Sequence, residues 1–364
     1  MRLTTVSRAT GMRLARDLPA TGPGRVPLLA HGTVLTERYQ RALLAQGIHA
    51  VWVDDELSDG IEPVELMSET VRAETAERVR RALDSARAAF GSSQRLPSAT
   101  LQDLSGIVDR IASSIMDNAD AALVLNDLAA ADQYTHRHSV NVTALGLLLA
   151  RAQFRHNGWV DYRGQRRYDR LDQRLSTLGL GLLLHDIGKM AVPAPVLNKP
   201  GPLDAGEWEL MRTHPEAGVA LLGTSTMSPL VTTVIRDHHE RMDGSGYPRG
   251  VEGEDIHMFA RLAAVAAVYD AITSARPYKG AAPPNAGVKV IADGEGTAFD
   301  PEVVGTFRRV VFPYPVGTEL ELPDGRVGVV ARVDPAEPDV PIVRLAGPGG
   351  TEEVAVDARS GLAP

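Results

Sequence analysis

Apolar and polar positions follow different periods along this chain, and each period marks a region. Thr36 to Gln46 spaces its apolar residues as a short helix does, with Gly47 placed to end it. His49-Ala-Val-Trp-Val53 reads as a strand. Residues 1–60 are therefore expected to form a small α/β unit, in which His31 and His49 are ordinary polar residues. Residues 62–92 carry helical periodicity with many charges and set Val71, Val79 and Leu83 on one face. Gly91 to Pro97 has linker composition, so residues 61–99 read as a connecting helix and linker. Residues 100–312 read as helical, with one or two helices in Leu101–Ala130, another in Val140–Ala152, and loops marked by Gly and Pro. After Pro313 the period falls to two: Gly317 to Val330 alternates around Pro323-Asp324-Gly325, a hairpin signal. Pro341 to Leu345 and Glu353 to Val356 add further strands. Residues 313–364 are thus a small β unit, too small to fold by itself and expected to pack on another domain. The fold class is mostly α.

Composition narrows the function classes. The 364 residues have room for two or three domains, and 44% hydrophobic content suits a globular protein. No apolar run approaches the ~20 residues of a membrane span, and residues 1–10 lack a signal-peptide core, so a cytoplasmic protein is expected. Cysteine is absent, which removes disulfides and thiolate metal sites. Any metal would sit on His, Asp or Glu, ligands that accept Fe, Mn, Mg, Ni or Zn. A net charge of −8 argues against a DNA-binding footprint. One stretch runs the other way: residues 153–174 crowd Arg155, Arg163, Arg166, Arg167, Arg170 and Arg174 among Trp159, Tyr162 and Tyr168. It reads as a solvated loop, or as a contact for a phosphate or a partner.

The candidate chemistry lies in histidines. An apolar run, Leu182-Leu-Leu, ends abruptly in His185-Asp186, adjacent groups that are costly to bury unless paired or bound to a metal. Alone, such a pair reads equally as a polar helix end. Five further histidines answer it: His136 and His138 near a helix start, His214 in Met211-Arg-Thr-His-Pro215, and adjacent His238 and His239. Imidazoles on successive helices of a bundle can converge on one pocket. Two metals bridged by a carboxylate there suit phosphodiester hydrolysis.

These stretches resemble the HD-GYP family, a subgroup of the HD-domain metal-dependent phosphohydrolases. The matching segments are Tyr134 to Ser139, His185 to Lys189, Leu197 to Leu203, His238 to Pro248, Tyr269 to Ser274 with Arg276 to Lys279, and Gly296 to Pro301. In this order they cover about residues 130–312. The resemblance implies an HD-type helical bundle that hydrolyses cyclic di-GMP, or a related cyclic dinucleotide, to linear pGpG or GMP. It implies two divalent metal ions, Fe or Mn before Ni, Zn or Mg, on His138, His185, Asp186, His214, His238 and His239, with Asp186 bridging. Lys189 resembles the lysine beside the scissile phosphate, and Arg276 and Lys279 the basic pair on the substrate phosphates. Gly246-Tyr247-Pro248 resembles the name-giving loop, which shapes the substrate site and docks diguanylate cyclase (GGDEF) partners. Asp270 is expected to orient its neighbours through hydrogen bonds, and His136 to be a surface residue. Monomer and homodimer both stay open.

Two departures qualify the resemblance. The family's last motif carries a metal-ligand Asp three residues before the position of Asp270, where this chain has Ala267. Some members carry a Glu, for a third metal, where this chain has Tyr134, so at most two metals are expected. Two readings follow: a phosphodiesterase weakened at one metal, or a degenerate protein that binds a cyclic dinucleotide or a GGDEF partner without catalysis. A nucleotide hydrolase of another HD type fits less well, because the loop around Tyr247 is intact.

Overall fold

The computed structural model describes residues 1–18, 27–46, 48, 50–63, 69–92, 95–117, 134–160, 163–223, 227–274, 282–347 and 349–357. Within them the chain is mostly helical, with small sheets at both ends. The N-terminal unit pairs β1 (Arg2–Thr5) and β2 (Arg13–Leu14) with the central β3 (Ala50–Asp54), both antiparallel. Helix α1 (Glu37–Ala45) starts at Thr36, whose side chain accepts from Tyr39 N. Val6, Leu14, Leu35, Leu43, Val51 and Val53 form this unit's own core. Gly47 and His49 lie outside the described residues.

The helical body follows with α2 (Glu69–Gly91), α3 (Ser98–Asp117) and α4 (Tyr134–His156), then β4 (Trp159–Val160) and β5 (Arg166–Arg167). It continues with α5 (Leu171–Leu184), α6 (Ala194–Leu197), α7 (Ala205–Met211), α8 (His214–Leu222), α9 (Pro229–Asp237), α10 (Met258–Thr273), α11 (Pro284–Asp293) and α12 (Pro301–Val310). Their inward faces make one cluster, with Leu104, Ile111, Leu145, Leu149, Leu178, Leu182, Val234, Leu262 and Phe307 buried. Each such side chain contributes roughly 1.5–3 kcal/mol by leaving water. Helices α4 and α5 pack on each other within this cluster and carry His138 and the chain leading to His185.

Two expectations change. The segment read as a connector is no mere spacer: Ala76, Val79, Ala82, Leu83, Ala86 and Ala89 of α2 belong to the main core. Its partner α3 covers Ser98–Asp117, and residues 118–133 of the expected helices lie outside the description. The arginine-rich stretch is not a plain loop either. It forms the hairpin β4–β5, and Arg174 sits inside α5 with its guanidinium 4.0 Å from the Trp159 ring centroid and near Phe154 and Phe259. Burial pushes that guanidinium down to about 10.

The C-terminal unit is an antiparallel meander of β6 (Glu319–Glu321), β7 (Val327–Arg332), β8 (Ile342–Gly347) and β9 (Gly350–Ala355), turning at Pro323-Asp324-Gly325 as expected. It packs on the N-terminal unit. Leu3 N donates to Gly317 O at 2.8 Å, and Leu3 and Thr318 form a parallel bridge. Arg2, almost fully buried, pairs with both Asp55 and Glu319, and Arg344 donates to the carbonyls of Leu57 and Asp59. Among the described residues, no helix is long and apolar enough to cross a membrane.

Candidate metal centre

The α5 helix ends at Leu184, and His185 and Asp186 turn the chain into a 3₁₀ segment, Ile187–Ala191. This segment lies against the start of α8, and only glycine fits at position 188, because a Cβ there would collide with the His214 carbonyl and Gly218 N. The close approach brings His214 to the side of Asp186. His238 follows the end of α9, and α4 supplies His138 from the opposite side.

Each of four imidazoles is fixed through its Nδ1. The Nδ1–H of His185, His214 and His238 donates to the carbonyl three residues earlier, Leu182, Met211 and Ile235, at 2.7, 2.8 and 2.9 Å. His138 Nδ1–H donates instead to Asp270 Oδ2 at 2.6 Å. These partners set the tautomer and leave every Nε2 as a bare acceptor facing the pocket. The acceptors meet without a proton between them: His138 and His185 Nε2 are 3.3 Å apart, and His214 and His238 Nε2 3.4 Å. Burial pushes His138 and His238 down from the usual imidazole range, and His214 to about 4, so these rings are neutral near pH 7.

Asp186 lies between the two pairs. Its Oδ2 is 3.4 Å from His185 Nε2 and 3.6 Å from His138 Nε2, while Oδ1 is 3.4 Å from His214 Nε2 and 3.8 Å from His238 Nε2. Lys189 Nζ donates to Oδ2 at 2.6 Å, and Oδ1 is buried with no hydrogen-bond partner. Burial raises the Asp186 carboxyl, but Lys189 and the imidazole partners outweigh it and hold the group well below the usual carboxylate range. A buried carboxylate oxygen without a donor, facing bare imidazole nitrogens, is a donor set for cations. Among the described residues two ligand groups result: Asp186 with His214, His238 and His239, and Asp186 with His138 and His185.

Neighbouring side chains complete the surroundings. Asp270 is buried, and its Oδ1 also accepts from Asn141 Nδ2 at 2.9 Å and Ser274 Oγ at 2.8 Å. Asn141 in turn accepts from Arg72 at 2.9 Å. Asp270 is therefore saturated with donors and faces His138 as an orienting group. Ala267, one turn before it on α10, is buried and offers only a methyl group. On the other side Tyr247 stacks on His239, with ring centroids 4.6 Å apart and planes at 19°, and its N–H donates to His239 O at 3.2 Å. Gly246 permits this fold-back, since a Cβ there would lie 2.5 Å from Glu240 Cα and Arg241 N. Arg249 ties the loop down through Asp237, at 2.8 Å, and through its own N–H to Glu240 at 2.8 Å.

The structure thus brings together His138, His185, Asp186, His214, His238, His239, Lys189, Tyr247 and Asp270. Arg276 and Lys279 lie outside the described residues, as does the side chain of His136. Sequence reasoning missed Asn141 and Ser274, although each stands one turn from a residue it had singled out. It also missed Trp208 and Arg212, which flank Tyr247: the Trp208 ring is 6.3 Å from it and the Arg212 guanidinium 5.0 Å.

A family model described as an HD domain matches residues 144–303. A cyclic di-GMP phosphodiesterase of Pseudomonas aeruginosa is 44% identical over 227 residues, covering 62% of this chain and 51% of that protein. A cyclic di-GMP phosphodiesterase of Vibrio cholerae is 42% identical over 134 residues, covering 35% of this chain and 27% of its own length. A 3'3'-cGAMP-specific phosphodiesterase of the same organism is 35% identical over 129 residues, covering 35% and 28%. The chain spans about half the length of the first of these relatives and less of the others.

Proposed function

We propose that the chain belongs to the HD-GYP group of HD-domain proteins and that it is a metal-dependent phosphodiesterase that hydrolyses cyclic di-GMP to linear pGpG or GMP, a reading supported by the HD-domain match and by its similarity to a cyclic di-GMP phosphodiesterase. One observation carries the reading. The two oxygens of Asp186 face two separate sets of bare imidazole nitrogens, the arrangement a carboxylate needs to bridge two divalent cations. His138, His185 and Asp186 would hold one ion; Asp186, His214, His238 and His239 would hold the other. Nitrogen and oxygen ligands of this kind accept Fe, Mn, Ni, Zn or Mg, and metal availability decides among them.

Such a pair of ions supplies a polarised phosphoryl oxygen, an acidified water and a stabilised leaving alkoxide. The residues do the rest. The carbonyls of Leu182, Met211 and Ile235 and the carboxylate of Asp270 hold each imidazole plane in place, so the site needs little reorganisation. Lys189 is a partly exposed cation three residues after Asp186, placed to take an oxygen of the scissile phosphate once Asp186 is otherwise balanced. Tyr247 covers the His239 ring and fixes its direction. The ligand groups are unequal, four residues against three, and Ala267 adds no donor to the smaller one.

The test is direct. Metal analysis of the purified chain is expected to find up to two ions, and cyclic di-GMP with Mn²⁺ or Fe²⁺ is expected to yield linear product. Assay of 3'3'-cGAMP alongside ranks the cyclic dinucleotides. A metal-loaded chain that binds cyclic di-GMP and releases no product would sink the enzyme reading in favour of a binding protein.

A further inference from the structure

Outward from His239 the rim of the pocket is aromatic. Tyr247 lies flat on the imidazole, and Trp208 of α7 meets Tyr247 edge-on, with planes at 74°. Tyr247 is the obvious platform for a nucleobase, yet its ring is already covered by His239 and by the guanidinium of Arg212. Trp208 is different. It is 47% exposed, and it is absent from the residues packed into the main core. An isolated exposed indole is ordinary on a protein surface. This one meets a ring that itself stacks on a proposed metal ligand, which puts an exposed indole one ring away from that ligand. In a cyclic dinucleotide each base projects sideways from the phosphodiester ring, and a flat purine is recognised most simply by an aromatic face.

We propose that Trp208 is the stacking surface for one guanine of the cyclic dinucleotide, and so a specificity-determining residue. The proposal rests on the phosphodiesterase reading. It gives the edge contact between Trp208 and Tyr247 a role: the tyrosine, clamped between His239 and Arg212, fixes the indole's position relative to the metal ligands.

The experiment compares wild type, Trp208→Ala and Trp208→Phe on two substrates, cyclic di-GMP and methyl p-nitrophenyl phosphate, a phosphodiester without a nucleobase. Trp208→Ala is expected to raise KM for cyclic di-GMP about tenfold, the scale of one lost base stack. It should leave cleavage of the small diester within about twofold by the same reasoning. Trp208→Phe keeps a π face and should stay close to wild type. Addition of cyclic di-GMP should also quench tryptophan emission in wild type, and less in Trp208→Phe, because the other two tryptophans, Trp52 and Trp159, stand on β3 and β4 rather than on α7. An unchanged KM for cyclic di-GMP in Trp208→Ala, or an equal loss on both substrates, overturns the proposal. A wild-type chain that cleaves the small diester but neither cleaves nor is quenched by cyclic di-GMP overturns the cyclic-dinucleotide reading itself, and the stacking role with it.

Discussion

Asp270 decides which nitrogen of His138 faces the pocket: its Oδ2 accepts the Nδ1–H at 2.6 Å, so Nε2 points at Asp186. The same carboxylate accepts from Asn141 and Ser274. Asp270→Asn keeps the shape but puts an amide NH₂ among these donors. The His138 tautomer should then be lost, and metal affinity at the three-residue group should fall roughly 10- to 100-fold. Metal titration monitored by calorimetry checks this; unchanged affinity would mean that the hydrogen bond is structural only.

Ala267 is a buried methyl-bearing residue one turn before Asp270, and the group of His138, His185 and Asp186 has Asp186 as its one carboxylate. Ala267→Asp is expected to raise metal occupancy towards two ions per chain and to increase turnover of cyclic di-GMP by about tenfold or more, the scale of a gained ligand. Metal content per chain and kcat are the readouts. A gain in occupancy without a gain in rate would place the limiting step elsewhere.

Asp186 is common to both ligand groups, so its loss removes both sites at once. Saturating Mn²⁺ should raise Tm of the wild-type chain, corresponding to about 2.7 kcal/mol when the metal is at 100 times its Kd. Asp186→Asn should abolish that rise together with activity. A variant whose Tm still responds to Mn²⁺ as wild type does would refute the bridging role.

His257 gives a pH dependence separate from the metal ligands. Its Nδ1 accepts from Phe259 N at 3.1 Å and caps α10, so it must stay unprotonated. Burial first, then Arg174 and Arg261, push it from 6.5 to about 4, against a weaker pull from Asp237. The unfolded chain takes up this proton near pH 6.5, and the folded chain only near pH 4. The contribution is therefore complete above about pH 6.5 and is lost as the pH falls towards 4. Buried site histidines act in the same direction, so the informative quantity is a difference. With chelator present, His257→Asn, a cap that does not titrate, should make Tm fall less steeply than wild type across that window, with little change at pH 8. Parallel curves would contradict the assignment.

How much was legible in the sequence varies with the physics of each part. The histidines and Asp186 stood out because an imidazole and a carboxylate side by side at the end of an apolar run are costly to bury without a counter-charge. The orientation of His185, His214 and His238 did not, because it depends on backbone carbonyls three residues back, which carry no side-chain signal; only for His138 was the orienting group, Asp270, a side chain the sequence could offer. The packing of α2 was hidden by composition: four of its six core positions, Ala76, Ala82, Ala86 and Ala89, are alanines that weigh little against the surrounding arginines. The β4–β5 hairpin was hidden by size, since strands of two residues leave no alternation to read. Asn141 was within reach, because it lies one turn from His138 on the same helix face.

The seam between Leu3 and Gly317 joins residues more than 300 positions apart, and Arg2 lies across it between Asp55 and Glu319. Either flank, trimmed away alone, would strip the other of its neighbour: Glu319 would lose Arg2 and Arg8, and Arg2 would keep only Asp55. The two flanks thus behave as one cassette written at opposite ends of the chain. A chimaera that grafts this helical body onto new flanks has to exchange both together.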